Sequence, residues 1–395
     1  MTVKPASPKL FVALSCLVFL VFGLFNGAIG PVLEELSLQT NSSLAAIGGV
    51  LTFLFLGSLI AQIVAGPLTD KVGQKTVLVT SLFILGVGIA AFTNTPSLPW
   101  MFVLFLFTGL GQGGVDLGAN LVVTNAYPRN NTGLLNLLHF FFGLGAFSGP
   151  ALVSLVLSLN APGRLVHWIA AGLFIVLAVI FLLFYQNTRS VGQAELTLEQ
   201  SLGKRLYRSP LLWGIGGLLL VYVGVEYGLG SWVTAFMGRS VQMPVQQGAL
   251  ITSAYWGFLT LGRLAGAAVS RKLTILQLLG VSIFGGLIGG VAFAFLTGTT
   301  TPAILAVVFL GFCFGTVYPT TIAITAANFP HDQGKAVSVV AAMGSVGGLA
   351  LPWVAGVLLE NISTMAYGLF VAATMVLLTV IYTLIRKMVI QTQKR

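Results

Sequence analysis

Two carboxylates, Asp116 and Glu226, stand inside the apolar segments of this chain. A carboxylate in hydrocarbon is expensive to keep and by default marks a ligand or ion pathway, so these two are where chemistry is first sought. Asp116 and Asn120 are four apart, one above the other on a helical face, and glycines at 109, 113 and 114 let a second helix approach. His139 follows a hairpin that turns near Arg129, which puts it at a depth similar to Asp116. An acid touching an imidazole titrates as a coupled pair and could carry H+. Asp116 could equally hold Na+ with backbone carbonyls. The plainer readings are a carboxylate bonded to a neighbouring helix and a histidine that only packs.

Glu226 stacks with Tyr222 and Gly230 at four-residue spacing, with Tyr227 and Trp232 close by. Carboxylates and amides bond sugar hydroxyls while aromatic faces cover the C–H surface of the ring, and this group supplies both contacts. The competing account is an interfacial aromatic belt, expected above all for Trp232 near a helix end. Tyr255, Trp256 and Tyr318 share that ambiguity. Asn26, Gln62, Asn136, Thr320 and Thr321 are polar groups that could line a cavity. Arg263 is expected to snorkel to the interface, in a structural or gating role rather than a substrate-binding one.

The elements that must position these groups follow from composition. Of 395 residues, 56% are hydrophobic and 7% charged, with a mean hydropathy of +0.98, whereas soluble domains carry about 25% charged residues. Twelve apolar stretches lie near 9–32, 45–69, 76–94, 100–126, 134–158, 165–186, 210–236, 247–269, 274–297, 302–327, 336–359 and 364–386. Each has roughly the 20 residues a membrane helix needs, so an all-α membrane protein with twelve spans is expected. The first stretch lacks a small-residue cleavage site and runs into Gly30-Pro31, unlike a signal peptide. With a cytoplasmic N-terminus, all of the 19 Lys and Arg except Arg164, Arg239 and Arg263 fall on the inner side. The positive-inside rule thus explains the net charge of +10 better than a nucleic-acid partner, and both termini are expected in the cytoplasm. Cys16 and Cys313 sit in apolar stretches and imply neither disulfide nor metal site. Without a phosphate-binding G-x-x-x-x-G-K-[ST] loop or a nucleophile–base pair, neither ATP-driven work nor enzyme activity is expected, and no cofactor.

A polar stretch divides the chain into a six-helix half at 1–186, a linker at 187–209 and a second half at 210–395. Each half carries a glycine-bearing basic loop after its second helix, Gly66 to Lys75 and Gly262 to Lys272. Gly143, Gly145 and Gly149-Pro150 answer Gly344, Gly347, Gly348 and Pro352 in the other half. Two pseudo-symmetric repeats suit a transporter whose helices bend as access alternates.

Gly66-Pro-Leu-Thr-Asp70-Lys71-Val-Gly73-Gln-Lys75 resembles the loop between helices two and three of the major facilitator superfamily. Gly66, Asp70, Lys71, Gly73 and Lys75 are accordingly gating candidates, with Asp70 pairing in one arrangement of the halves. Gly109-Leu-Gly111-Gln-Gly113-Gly114-Val-Asp116-Leu-Gly118-Ala-Asn120 is similar to the fourth helix of the fucose–galactose–glucose symporter family. Leu138-His139-Phe-Phe-Phe-Gly143, Gly224-Val-Glu226-Tyr-Gly-Leu-Gly230-Ser-Trp232, Tyr255-Trp256-Gly257 and Gly262-Arg263 resemble its sodium-dependent glucose transporter branch. Some proton-coupled members carry an acid in the first helix, where this chain reads Phe25-Asn26-Gly27.

The resemblance implies the major facilitator fold in the plasma (cytoplasmic) membrane. It also implies cation symport, by H+ or Na+, of a neutral hexose-like monosaccharide by a monomer in the lipid bilayer. Asp116, His139 and Glu226 are the coupling candidates, with Na+ near Asp116 if a metal ion is used. A proton-driven exporter of amphipathic drugs or lipids is the alternative on the same fold.

Overall fold

The computed structural model describes residues 8–127, 132–185 and 206–393. Their regular elements are helices: α1 (Pro8–Gln39), α2 (Leu44–Val72), α3 (Gln74–Phe92), α4 (Leu98–Ala126), α5 (Thr132–Ser158) and α6 (Leu165–Phe184). After the polar stretch come α7 (Pro210–Val241), α8 (Val245–Val269), α9 (Ile275–Phe295), α10 (Thr300–Phe314), α11 (Val317–Asn328), α12 (Gln333–Asn361) and α13 (Thr364–Gln393). A 3-10 turn, Pro330–Asp332, precedes α12.

Counting α10 and α11 as one span, 11 segments among the described residues are long and apolar enough to cross a membrane. The expected eighth span, α8, forms a helix but falls short in apolarity, with Arg263 and several Thr, Ser, Tyr and Trp residues within it. The tenth, expected as one helix over 302–327, is broken at Gly315 and Thr316. There Gly315 lies directly beneath the Leu259 carbonyl of α8. The Thr316 hydroxyl bonds Ser282 of α9, and the Thr316 carbonyl accepts from Thr320. Side-chain hydroxyls that bond locally compete with the helical ladder and bend it.

Two compact units are formed. One holds α1–α6 with Val245–Ser253 at the start of α8; the other holds α7, the rest of α8 from Ala254, and α9–α13. Within the first, α1 packs on α5, α2 on α4, and α3 on α4 and α6. Within the second, α7 packs on α12 and α13, and α9 on α10 and α13. Close approach is what glycine permits in a bilayer, where helices gain little from hiding apolar surface. A Cβ on Gly145 of α5 would meet the Leu20 carbonyl of α1, and one on Gly347 of α12 would meet the Leu220 carbonyl of α7. Gly109 of α4 backs in the same way onto the Leu54 carbonyl of α2.

The segment expected as a loop from Gly66 to Lys75 is mostly helix. α2 runs through Val72, α3 starts at Gln74, and the turn is one residue, Gly73, at φ 87° and ψ 151°. A side chain at such a φ is strained, so glycine is required here. The Gly73 N–H closes α2 on the Thr69 carbonyl at 2.9 Å. Lys71 is exposed and Lys75 half-buried. The Gly66 and Asp70 side-chain positions, the turn at Arg129 and most of the linker, 187–205, lie outside what is described.

Candidate functional site

In the first unit the polar groups line one stripe of α4. Gln112, Asp116 and Asn120 recur every four residues, so they climb the same face. Asn120 Nδ2 donates to the Asp116 carbonyl at 2.8 Å and to its Oδ1 at 3.2 Å. Both residues are half-buried, and among the described residues Asp116 forms no ion pair. Gln112 is buried, and its Oε1 has no hydrogen-bond donor among the described residues. On α1, Asn26 donates through Nδ2 to the Phe22 carbonyl at 2.9 Å and leaves Oδ1 likewise without a donor. By helical rise Asn26 lies about 20 Å from the Gln39 end of α1, and Gln112 about 21 Å from the Leu98 end of α4.

The other candidates of this unit stand apart from that stripe or contribute little to it. His139 is exposed on α5 and meets Phe19 of α1 edge-on, with ring centroids 5.3 Å apart. Asn136 is exposed, and half-buried Gln62 lies at the limit of a bond to Ser58, 3.5 Å. Gln112 is a residue the sequence reading does not single out, although its four-residue spacing from Asp116 is visible there. Buried Gln74 is another: it accepts from Asn125 at 2.8 Å and ties the start of α3 to the end of α4.

In the second unit the polar groups gather on α7 and α8. Glu226 is buried, and its Oε1 lies 3.7 Å from Arg263 Nη2. Arg263 therefore does not snorkel away. It sits about 27 Å from the Val245 end of α8, and Glu226 about 22 Å from the Val241 end of α7, depths at which the two meet. A buried carboxylate is tolerable because a guanidinium balances it. Arg263 Nε, by contrast, is buried with no acceptor among the described residues. So is Nε1 of Trp256, a residue only 3% exposed. The Trp256 ring is set edge-on to Tyr227 at 5.9 Å and to Tyr255 at 5.2 Å, and it lies over Gly230, where a Cβ would strike it.

The remaining aromatic candidates have their polar atoms engaged. Tyr222 is fully buried and donates to the Phe314 carbonyl at 2.7 Å; Tyr255 is fully buried and donates to the Glu226 carbonyl at 3.0 Å. Trp232, expected in an interfacial belt, is fully buried instead. Its Nε1 donates to the Pro352 carbonyl at 2.7 Å and its ring fills the space left by Gly356. Pro352 lies inside α12 and lacks the N–H that the Gly348 carbonyl would accept; its own carbonyl is the one that takes the indole. Tyr318 is half-buried at the start of α11, and Thr320 and Thr321 return their hydroxyls to the carbonyl ladder of their own segment.

Comparison with known proteins places this geometry in context. Residues 15–320 and 299–394 match the model of the Major Facilitator Superfamily. The human protein called sodium-dependent glucose transporter 1 is 23% identical, the match covering 93% of this chain and 78% of that protein. A Helicobacter pylori protein called putative glucose/galactose transporter is 26% identical, over 85% of this chain and 86% of its own length. Among solved structures, an aspartate-to-alanine mutant of the nucleoside transporter NupG superposes with a TM-score of 0.79 at 17% identity, covering 95% of this chain and 99% of that one. The Escherichia coli fucose:proton symporter FucP, as an asparagine-to-alanine variant, gives 0.67 at 19% identity, covering 96% and 99%.

Proposed function

The chain belongs to the major facilitator superfamily, and we propose that it imports a neutral hexose-like sugar together with a cation by alternating access. As members of that family do, it works as an integral membrane transporter and not as an enzyme. The observation that carries the sugar reading is the Glu226 cluster. Its carboxylate is charge-balanced by Arg263, so the site favours an uncharged ligand, and it stands on the helices that carry the Tyr227–Trp256 ring pair. Relatives named for glucose and galactose transport support the same substrate class. An exporter of amphipathic compounds fits less well, since Tyr222, Trp232, Tyr255 and Trp256, the aromatic side chains around Glu226, are packed within the unit rather than presented.

Cation coupling is assigned to Asp116. Glu226 has its counter-charge, whereas among the described residues Asp116 has only the neutral amide of Asn120. A cation completes such a carboxylate, be it H+ or Na+. The donor-less oxygens of Asn26 and Gln112 favour Na+, a hard ion that binds neutral oxygens, where a proton needs the carboxylate alone. Uptake of labelled glucose and galactose into proteoliposomes under an inward Na+ gradient, an inward H+ gradient or neither tests the proposal. Accumulation above equilibrium under one gradient is expected. Asp116→Asn should abolish accumulation while sugar exchange persists. Absence of sugar uptake under every condition, in protein shown to be folded, overturns the sugar reading.

A further inference from the structure

Among the described residues of the second unit, two N–H groups are buried and unspent: Nε of Arg263 and Nε1 of Trp256. Both belong to α8 and are seven residues apart, two turns along one stripe of the helix. Helical side chains lean toward the N-terminus of their helix, so Arg263 reaches back in the direction of Trp256. Neither group is free to find a partner by swinging. The Glu226 carboxylate holds Arg263 through Nη2, and Tyr227, Tyr255 and Gly230 confine the indole. A buried donor without an acceptor is costly, and two such donors on one stripe of α8 call for a ligand that brings oxygens.

We propose that Arg263 is a substrate-positioning residue, presenting its Nε–H, with the Trp256 Nε1–H, to oxygens of an uncharged polyhydroxylated ligand. This rests on the sugar reading and extends it, because it moves Arg263 from gate to binding site and gives Glu226 a second task. The carboxylate anchors the guanidinium so that one edge of the planar fork stays directed, and its remaining lone pairs accept from ligand hydroxyls. Net charge selects the ligand class. Glu226 and Arg263 cancel, so a phosphorylated or acidic sugar meets an unbalanced Glu226 and an amino sugar an unbalanced Arg263. Lysine cannot replace the arginine, since an ammonium is a point charge without the Nε–H of the fork.

The test is equilibrium binding by calorimetry of glucose, galactose and their singly deoxygenated analogues to purified protein, alongside uptake KM and maximal rate in proteoliposomes. Wild type, Arg263→Lys, Trp256→Phe and the doubly neutral Glu226→Gln/Arg263→Gln variant are compared, with folding checked by size-exclusion profile and thermal melt. Loss of one hydrogen bond to a charged donor should raise Kd and KM about tenfold or more in Arg263→Lys, with the maximal rate held within about twofold. Trp256→Phe removes the donor together with part of the buried indole, so it should act likewise, with its melt read beside its Kd. The decisive readout is coupling to the analogues: at one hydroxyl position, deoxygenation should weaken binding to wild type but not to Arg263→Lys. A structural or gating arginine would not produce that pattern. Unchanged Kd in both single variants, or wild-type affinity in the doubly neutral variant, overturns the inference while leaving the sugar reading intact. Wild-type protein that binds none of these sugars overturns both.

Discussion

At the scale of the residue, identical side chains are given different tasks by what their polar atom meets. Trp232 and Trp256 are both buried in the second unit, yet one indole is bonded to the Pro352 carbonyl and the other has no acceptor. Trp232→Phe should therefore cost stability, about 1–3 kcal/mol for the lost hydrogen bond and the ring volume beside Gly356, and leave the sugar KM unchanged; a thermal melt beside an uptake assay checks both. Trp256→Phe, which also shortens a buried ring, should in addition lose sugar affinity. Residue type and spacing made Asp116 and Glu226 legible, since intramembrane carboxylates are rare enough to stand out unaided. The ion pair between Glu226 and Arg263 was not legible, because the partner lies on another helix and its reach depends on how α7 and α8 meet.

At the scale of the element, helices here are joined by backbone contact at glycines. Adding a methyl at Gly145 or Gly347 drives it into a carbonyl that cannot move without its helix. Gly145→Ala and Gly347→Ala should each destabilise by about 1–3 kcal/mol, the usual cost of overpacking. Gly172→Ala is the control: nothing lies within 4 Å of its Cβ position, and alanine should hold or raise the melting temperature. Equal melts for the three variants would show that these contacts do not set helix spacing. The paired glycines of the fifth and eleventh spans were visible in the sequence as recurring motifs. That Gly73 alone makes the α2–α3 turn was not, because Gly66 and Pro67 advertise a loop where helical hydrogen bonding continues.

At the scale of the whole molecule, ion pairs tie helix ends within each unit. Glu35 at the end of α1 accepts the Arg164 backbone N–H at 3.1 Å and lies 3.4 Å from its Nε. Arg239 at the end of α7 donates to the Leu359 carbonyl of α12 at 3.0 Å and lies 3.9 Å from Glu360. These are two of the three cationic side chains that charge distribution assigns to the outer face or to a span, and each has an acid beside it. Reporter fusions test that assignment. Fusions at either terminus should be active only for a reporter that works in the cytoplasm, and a reporter inserted at Asn160 only for one that works outside. Equal activity on both sides would refute the orientation.

Composition and periodicity by themselves determined that the chain is a helical membrane protein, roughly where most of its helices fall, and which two carboxylates stand inside apolar segments. These follow from local rules: hydrocarbon thickness sets segment length, and the cost of buried charge marks exceptions. Tertiary structure decided which polar atoms are already satisfied. It removed Trp232 from the belt, engaged Tyr222 and Tyr255, broke the tenth span, gave Arg263 to Glu226, and added Gln112 to the stripe of Asp116. Hydrogen-bond satisfaction is a property of neighbours brought together from distant parts of the chain, and no local pattern encodes it.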